Sequence, residues 1–433
     1  MKVSVIGAGL AGCEAAYQLG NNGIQVDLYE MKPIKYTNAH SYGGFAELVC
    51  SNSLKAARLD SAAGLLKEEM RMLGSLILEA AEHCAVPAGG ALAVDREKFS
   101  DYITDKIKKH ENITIINGEV DSLPDGYVVV ASGPLTSDKL ANSIQAMLHT
   151  NSLSFFDAAA PIVSADSIDM SVAFAASRYG KGDDDYINCP MNKEEYEIFF
   201  NALVNAESAP LKEIDKRDFR VYEGCMPIEV MAKRGADTMR FGPLKPVGLR
   251  DPRTGNRPWA VVQLRKENQE SSMYNIVGFQ TNLKFGEQKR VFSLIPGLQN
   301  AEFLRYGVMH RNTFLDSPRL LDCHFRLREN KNIFFAGQIT GVEGYTESAA
   351  SGILVGYNLA RIINGKDPIE LPRESMLGAL THYISDETVV NFQPMGSNMG
   401  ILPPLETRVK DKKLRYEALA NRSIQAFREI LDK

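Results

Sequence analysis

The sequence has no apolar run that could cross a membrane, because its longest runs fall well short of the roughly 20 residues that a membrane helix needs. Its first residues, MKVSVIGAG, lack the apolar core and the small-residue cleavage site of a signal peptide. The six cysteines include no CxxC pair and no spacing to histidine typical of a metal site. These absences predict a cytoplasmic protein without a membrane segment or a metal, in which any important thiol acts chemically.

A strong excess of one charge is also missing. The net charge is −5 over 433 residues, which argues against a simple polycationic nucleic-acid-binding protein. Residues 216–290, however, contain 15 Lys and Arg against 8 Asp and Glu, a local net charge of +7. A basic surface on an acidic protein suits an anionic partner such as RNA, because neutralised phosphates release counterions. The alternative is a solvated face with scattered ion pairs.

The first thirty residues have the pattern of a dinucleotide-binding βαβ unit. An apolar strand at 3–7 runs directly into GAGLAG, an amphipathic helix follows, and a second strand ends at Glu30. The glycines allow a tight turn and close approach of a pyrophosphate to the helix N-terminus, and Glu30 is spaced to accept hydrogen bonds from a ribose. The residues predicted to bind the cofactor here are Gly7, Ala8, Gly9, Leu10, Ala11, Gly12 and Glu30.

Two later segments favour FAD over NAD as this cofactor. Residues 127–134 form a buried strand that ends at a glycine turn containing Gly133. Residues 332–356 form a strand, a Gly-rich loop with Gly337 and Gln338, and a helix of small residues. Flavoproteins with two dinucleotide folds return to the first sheet in this way, late in the chain. The sequence argues against a disulfide reductase, because it has no second complete GxGxxG and no cysteine pair four residues apart.

The fold class predicted is α/β, with a Rossmann-like, glutathione-reductase-like FAD-binding domain and an inserted α+β domain. Residues 1–150 and 326–433 are assigned to the FAD-binding domain. Residues 151–325, with short strands and the basic excess, are assigned to the insertion, which we expect to contact RNA. One helix is predicted over 61–84 and another over 404–433. Nothing in the sequence indicates the oligomeric state.

Two of the cysteines lie in settings that favour a chemical role. Cys50 follows a Gly-Gly loop in ELVCSNS, close in sequence to the cofactor segment. Cys225 lies in YEGCMPIEVMAKRG, before a proline and a predicted helix start, with Lys233 and Arg234 downstream. A helix N-terminus and nearby cations lower a thiol pKa. Buried, inert cysteine is the alternative for each.

At this point the motifs indicate a family. The chain resembles the bacterial folate- and FAD-dependent tRNA (uracil-5-)-methyltransferases over about residues 1–360. The stretches that carry the resemblance include GAGLAGCEAA, FAELVCSNSLK, DYINCPMNKEEY, EGCMPIEVMAKRG, YNIVGFQTNLKFGEQKRVF and FFAGQITGVEGYTESAASG. Related flavoproteins that modify the tRNA wobble uridine share the Gly-rich ends but are longer.

The resemblance implies a specific reaction. The family transfers a methylene group from 5,10-methylenetetrahydrofolate to C5 of the T-loop uridine in the T-arm of tRNA, with electrons from reduced FAD that NADPH or NADH recharges. Thiolate attack on C6 makes C5 nucleophilic. Cys225 matches the family's nucleophile, and Cys50 matches its second cysteine, which removes the C5 proton or holds the methylene.

Contacts to folate and RNA are further expectations. Glu343 suits the amino-pyrimidine edge of a pterin, and Phe285 suits stacking on a ring. The phosphate candidates are Arg234, Arg240, Lys245, Arg250, Arg253 and Arg257. Three alternatives stay open at this point: the same chemistry on ribosomal RNA, an NAD(P)H-dependent flavin reductase or oxidase without an RNA substrate, and a flavin-containing RNA-binding protein without catalysis.

Overall fold

The computed structural model describes residues 1–37, 39–148, 153–180, 183–210, 226–390 and 392–431. Its strands are β1 (Lys2–Ile6), β2 (Gln25–Glu30), β3 (Ser53–Ala56), β4 (Ala85–Val86), β5 (Ala91–Val94), β6 (Ile113–Asn117), β7 (Tyr127–Val130), β8 (Leu153–Ala158), β9 (Ile162–Ser164), β10 (Phe174–Ala175), β11 (Tyr186–Met191), β12 (Ala260–Lys266), β13 (Met273–Ile276), β14 (Phe303–Arg305), β15 (Met309–Phe314) and β16 (Ile333–Phe335). Its helices are α1 (Leu10–Asn21), α2 (Ala62–Met72), α3 (Leu76–His83), α4 (Arg96–Lys108), α5 (Asp138–Leu148), α6 (Lys193–Val204), α7 (Ile228–Lys233), α8 (Thr238–Phe241), α9 (Phe285–Phe292), α10 (Ser317–Leu320), α11 (Tyr345–Ile363), α12 (Met376–Ser385) and α13 (Lys412–Leu431).

Five parallel strands form the first sheet, in the order β16–β7–β1–β2–β6. Val3 and Val5 of β1 are completely buried, as expected for a parallel sheet that is covered on both faces. The late strand β16 pairs with β7, with Ile333 opposite Val128, although the whole predicted insertion separates them in sequence. The late return of the chain to the first sheet is therefore confirmed.

Helices α1 and α11 pack against each other at backbone distance. A Cβ atom at Gly352 of α11 would lie 2.2 Å from the carbonyl oxygen of Ala11 in α1. The neighbouring residues of α11, Ala349, Ala350 and Ile353, are completely buried. The small residues of the late segment thus allow its helix to lie directly beside the first helix of the chain.

A second sheet contains six strands in the order β10–β11–β12–β13–β9–β14, and all of its pairings are antiparallel. It has its own apolar core, to which Phe199 of α6, Ile228 of α7 and Phe292 of α9 contribute. The ribbon of β8 and β15 pairs the chain segments that enter and leave this unit. The mixed helix and antiparallel-strand content agrees with an α+β unit, and the domain boundaries at residues 150 and 325 stay a prediction.

The prediction of one helix over 61–84 is wrong, because the structure has two helices there. Gly74 has a φ of +71° and ends the first, and the Ser75 hydroxyl accepts from the Leu78 amide at the start of the second. The buried carboxylate of Glu14 in α1 also accepts from Ile77 N at 3.0 Å. A partner from another helix therefore supports the second helix start.

The last helix begins later than predicted, because α13 starts at Lys412 and residues 404–411 are not helical.

A small antiparallel sheet, in the order β3–β5–β4, completes the first unit. No helix among the residues that the structure describes is long and apolar enough to cross a membrane.

Glu69 of α2 connects the first unit to the C-terminal helices α12 and α13 through hydrogen bonds. Its carboxylate is completely buried and accepts from the amides of Met376 and Leu377, both at 2.7 Å, and from the Ser423 hydroxyl at 2.6 Å. These donors belong to the start of α12 and to α13. One buried acid therefore satisfies three polar groups on two other helices.

We expect Glu69→Ala to lower the free energy of unfolding by about 2–4 kcal/mol, because three buried donors lose their acceptor. Urea denaturation followed by circular dichroism measures this change. Glu68→Ala is the matched control, since Glu68 is partly exposed and pairs with Arg71 on the surface, and its loss should cost under about 1 kcal/mol. Equal effects of the two substitutions would contradict the role of Glu69.

Candidate active site

The turn between β1 and α1 forms one end of a deep cleft. Gly7 has a φ of +98°, and a Cβ atom there would lie 2.7 Å from the carbonyl oxygen of Ala131, so the turn requires glycine. Gly9 is the N-cap of α1 and provides no side-chain cap, which leaves the first amides of the helix available for an anion. Gly12 lies beneath the turn, against the Gly7 carbonyl.

The cleft is lined by the ends of β1 and β2, by the loop after β7 and by the starts of α1 and α11. Val49 and Tyr345 line it beside the predicted cofactor residues. The structure thus brings together, from three distant parts of the sequence, the predicted residues Gly7, Ala8, Gly9, Leu10, Ala11, Glu30, Gly133, Gly337 and Gln338.

Glu30 is buried at the end of β2 and holds the turn as well as lining the cleft. One of its carboxylate oxygens accepts from the Ala8 amide at 2.8 Å, and the other accepts from the Lys32 amide at 2.9 Å. A carboxylate has about four acceptor sites. Glu30 therefore keeps capacity for the hydroxyls of a ribose, and the glycine turn, the helix N-terminus and this acid fit the ADP half of a dinucleotide.

Cys50 lies close to Tyr345, the first residue of α11. The Tyr345 hydroxyl is 2.9 Å from Cys50 Sγ, and it accepts from the Cys50 amide at 2.8 Å and the Ser51 amide at 3.3 Å. Burial raises the pKa of Tyr345 well above its ordinary value. The phenol therefore keeps its proton at neutral pH and donates to the sulfur when Cys50 is a thiolate.

Two arginines hold the chain on either side of Cys50. Arg96 Nη1 donates to the Leu48 carbonyl at 2.8 Å, and Arg265 Nη2 donates to Ser51 Oγ at 2.8 Å. Arg96 also pairs with the buried Glu267, with Nε 2.6 Å from Oε2. Both guanidinium groups interact electrostatically with Cys50 and stay charged at any physiological pH. The two guanidinium groups therefore lie on either side of the residue that would carry a thiolate charge, and one of them is already paired with Glu267.

Sequence reasoning missed Tyr345, Arg96 and Arg265 as parts of this site. Arg265 belongs to β12 of the second sheet, so the second unit contributes directly to the surroundings of Cys50. Tyr345 is only two residues from the predicted Glu343 in the GVEGYTES motif, and that proximity was the one available signal.

Cys225 lies outside the described residues, and only its flanks are described. On the downstream side, the Ile228 amide donates to the Gln280 carbonyl at 2.7 Å. On the upstream side, the Ala209 amide donates to the Asn282 carbonyl at 2.7 Å. Both flanks of the segment 211–225 are therefore attached to the same short stretch of chain, residues 280–282.

The remaining predicted residues differ in their surroundings. Glu343 is buried and accepts from Gln338 Nε2 at 2.7 Å, which places both predicted residues side by side. Phe285 is 56% exposed and is not among the residues that line the cleft. Within the described ranges, no group of three or more His, Cys, Asp or Glu side chains could hold a metal ion.

Arg240 and Arg253, both of them phosphate candidates, have acidic partners. Arg240 pairs with Asp237 at 2.6 Å, and Arg253 pairs with Asp251 at 2.8 Å. Each pairing reduces the charge that these arginines offer to a phosphate.

The fold and the cleft define an FAD-binding α/β protein of Rossmann type, as the sequence predicts. Aquifex aeolicus GidA has a similar solved structure, with a TM-score of 0.70 and 18% identity over 99% of this chain and 73% of that chain. At this identity the similarity shows the fold alone. A family model described as "GIDA: Glucose inhibited division protein A" matches residues 2–367.

Curated relatives match over the full length of the chain. A protein of Acetivibrio thermocellus is 59% identical over 432 residues, covering 100% of this chain and 99% of that protein. A protein of Enterococcus faecalis is 57% identical over 430 residues, covering 99% of this chain and 98% of that protein. Both are named methylenetetrahydrofolate–tRNA-(uracil-5-)-methyltransferase TrmFO. The chain therefore belongs to the TrmFO family, and the resemblance found in the sequence is confirmed.

We expect Gly9→Ala to fold normally but to bind FAD roughly tenfold or more weakly, because the added methyl group enters the cleft where a pyrophosphate approaches the backbone. A Cβ atom at Gly9 would meet no protein atom within 4 Å. Flavin fluorescence titration of the apoprotein measures the affinity, and thermal melting checks the fold. Gly90→Ala, also free of protein contacts but outside the cleft, is the control. Unchanged FAD affinity in Gly9→Ala would mean that FAD binds elsewhere.

Proposed function

We propose that the protein transfers the methylene group of 5,10-methylenetetrahydrofolate to C5 of the T-loop uridine in tRNA and reduces it to a methyl group, which gives 5-methyluridine. The observation that carries the proposal is the position of Cys50 beside Tyr345, which lines the dinucleotide cleft, in a chain of the TrmFO family. The tRNA named in the relatives favours tRNA over ribosomal RNA as the substrate.

The cleft residues would hold FAD, with Gly9 and the start of α1 at the pyrophosphate and Glu30 at a ribose. When bound, FAD supplies the electrons that reduce the transferred methylene, and NADPH or NADH restores them. Glu343, held by Gln338, is the proposed contact to the pterin ring of the folate, because a carboxylate accepts from paired N–H donors. The cysteines of the described residues form no disulfide with one another, which supports a reducing cytoplasmic setting.

The two cysteines have separate roles in the proposed reaction. The Cys225 thiolate forms a bond to uracil C6, and the electron pair of the C5–C6 double bond moves to give an enolate that is nucleophilic at C5. The methylene carbon bonds to C5 as its bond to the donor breaks, and Cys50 takes the proton that leaves C5. Addition of a hydride to the methylene carbon gives the methyl group, restores the C5–C6 double bond and expels the Cys225 thiolate. Tyr345, Arg96 and Arg265 prepare Cys50 for the proton transfer, because the phenol donates to its sulfur and the two cations stabilise its negative charge.

We expect Cys225→Ala to lose methylation and to form no covalent complex with RNA that contains 5-fluorouridine, because no thiolate adds to C6. Cys50→Ala should lose turnover but still form that complex, since Cys225 is intact and fluorine at C5 cannot leave as a proton does. Nucleoside analysis measures the product, and denaturing gels detect the complex. Both variants should keep FAD.

The opposite pattern, in which Cys50→Ala loses the complex and Cys225→Ala keeps it, would show that the two roles are reversed. Full activity of both variants would contradict the cysteine mechanism.

The proposed RNA contacts predict different effects for two neighbouring arginines. Arg257 is exposed and has no ion pair within the described part of the chain, whereas Arg253 is held by Asp251. We expect Arg257→Gln to weaken tRNA binding and to lower the slope of log affinity against log salt by about one. Arg253→Gln should change the slope less. Filter binding at several salt concentrations measures both, and equal slopes in all three proteins would exclude this surface from RNA binding.

A further inference from the structure

Three aromatic rings form a parallel stack at the surface of the second unit, and we call them the aromatic stack. Tyr306 lies between Phe303 and Phe285, with ring centroids 5.3 Å and 4.8 Å away and interplanar angles of 6° and 14°. Phe303 packs against the core of this unit, while Phe285, at the start of α9, is 56% exposed. The stack therefore runs from the core to a ring at the surface.

Phe285 and Tyr306 are held at a fixed spacing by a buried glutamine. Gln288 of α9 is completely buried. Its side-chain amide donates to the Leu283 carbonyl at 2.7 Å and to the Gly307 carbonyl at 2.8 Å, and its oxygen accepts from the Gly307 amide at 2.8 Å. The helix that carries Phe285 is thus attached to the residue that follows Tyr306. A rigid, exposed ring loses little conformational entropy when it binds a flat partner.

The aromatic stack is linked to the flanks of segment 211–225 and to the loop that precedes Cys50. The flanks of segment 211–225 are attached to residues 280–282 and also to Lys284, whose amide donates to the Glu207 carbonyl at 3.0 Å. Phe285 is the next residue in the chain. Arg305, directly before Tyr306, donates to the Ala39 carbonyl at 3.1 Å, in the loop that leads to Cys50. A ligand on Phe285 would therefore be a neighbour of the proposed reaction site.

Unpaired positive charge accompanies the aromatic stack. Lys289 lies one helical turn after Phe285, is exposed and forms no ion pair within the described residues, whereas Lys284 and Arg290 are paired with Glu207 and Glu287. An exposed aromatic ring with a free cation nearby is the combination that binds a single-stranded base and its phosphate.

We propose that the aromatic stack is a binding surface for an unpaired base of the RNA substrate, one that neighbours the target uridine. This inference rests on the proposed function and adds to it the part of the protein that receives the loop of the RNA. A pterin ring is the other flat ligand of the reaction. It must reach Glu343, which accepts from Gln338 in the wall of the cleft, whereas Phe285 is not among the residues that line the cleft. The position of Phe285 therefore favours a base.

The test uses full-length, FAD-loaded protein and a T-arm stem–loop RNA. Phe285→Ala should raise the KM for RNA roughly 5- to 150-fold, the range expected for losing one base–aromatic stack. The kcat at saturating RNA, the KM for methylenetetrahydrofolate and the reduction of FAD by NADPH without RNA should stay unchanged. Phe285→Trp should restore the KM. Leu304→Ala, which removes a 48% exposed apolar side chain outside the aromatic stack, is the matched control and should have no effect.

A spectroscopic readout separates stacking from a loss of structure. RNA with 2-aminopurine in the loop should show quenched fluorescence on binding to the wild type and to Phe285→Trp but not to Phe285→Ala. The salt dependence of binding should not change, because the ring carries no charge. A higher KM for folate alone would assign the aromatic stack to the pterin. Unchanged KM values, or equal losses in the Ala and Trp variants, would overturn the proposal. If the wild type methylates no RNA, the proposed function itself fails.

Discussion

The candidate site depends on the backbone contact between α1 and α11. Gly352 allows α11 to approach α1 so closely that the Gly352 backbone lies against the carbonyl oxygen of Ala11. This contact brings the start of α11, with Tyr345, to the same cleft as the glycine turn at the start of α1. A larger residue at Gly352 would separate the helices, and the hydroxyl that contacts Cys50 would move with α11.

The second unit takes part in the site through charged groups rather than through apolar packing. Arg265 of β12 contacts Ser51 and Asn52, and Glu267 receives Arg96 from α4. Buried charges of this kind are costly unless each one has a partner. The loop that carries Cys50 is therefore held from both sides, which fixes the sulfur relative to the cleft and to the second unit.

In the proposed function, the aromatic stack and the Cys50 site have separate roles. The reaction takes place where the two units meet, at Cys50 and Tyr345, while the second unit holds the RNA loop. Arg305 connects these regions, because it follows Phe303 and Leu304 in β14 and reaches the Ala39 carbonyl of the first unit. The local basic excess in the sequence is only partly available for this purpose, because acidic neighbours neutralise Arg240, Arg253 and Arg290.

The sequence by itself determined the dinucleotide turn, because a strand, a glycine turn, a helix and Glu30 lie within thirty consecutive residues and depend on local conformation. It also singled out Cys50, through its motif. Only the tertiary structure decided that Tyr345 lies against Cys50 and that Glu14 supports a second helix start at Ser75. These contacts join residues that are far apart in the chain, and no periodicity or spacing encodes them. They follow from how closely the helices pack, which is a property of the folded core.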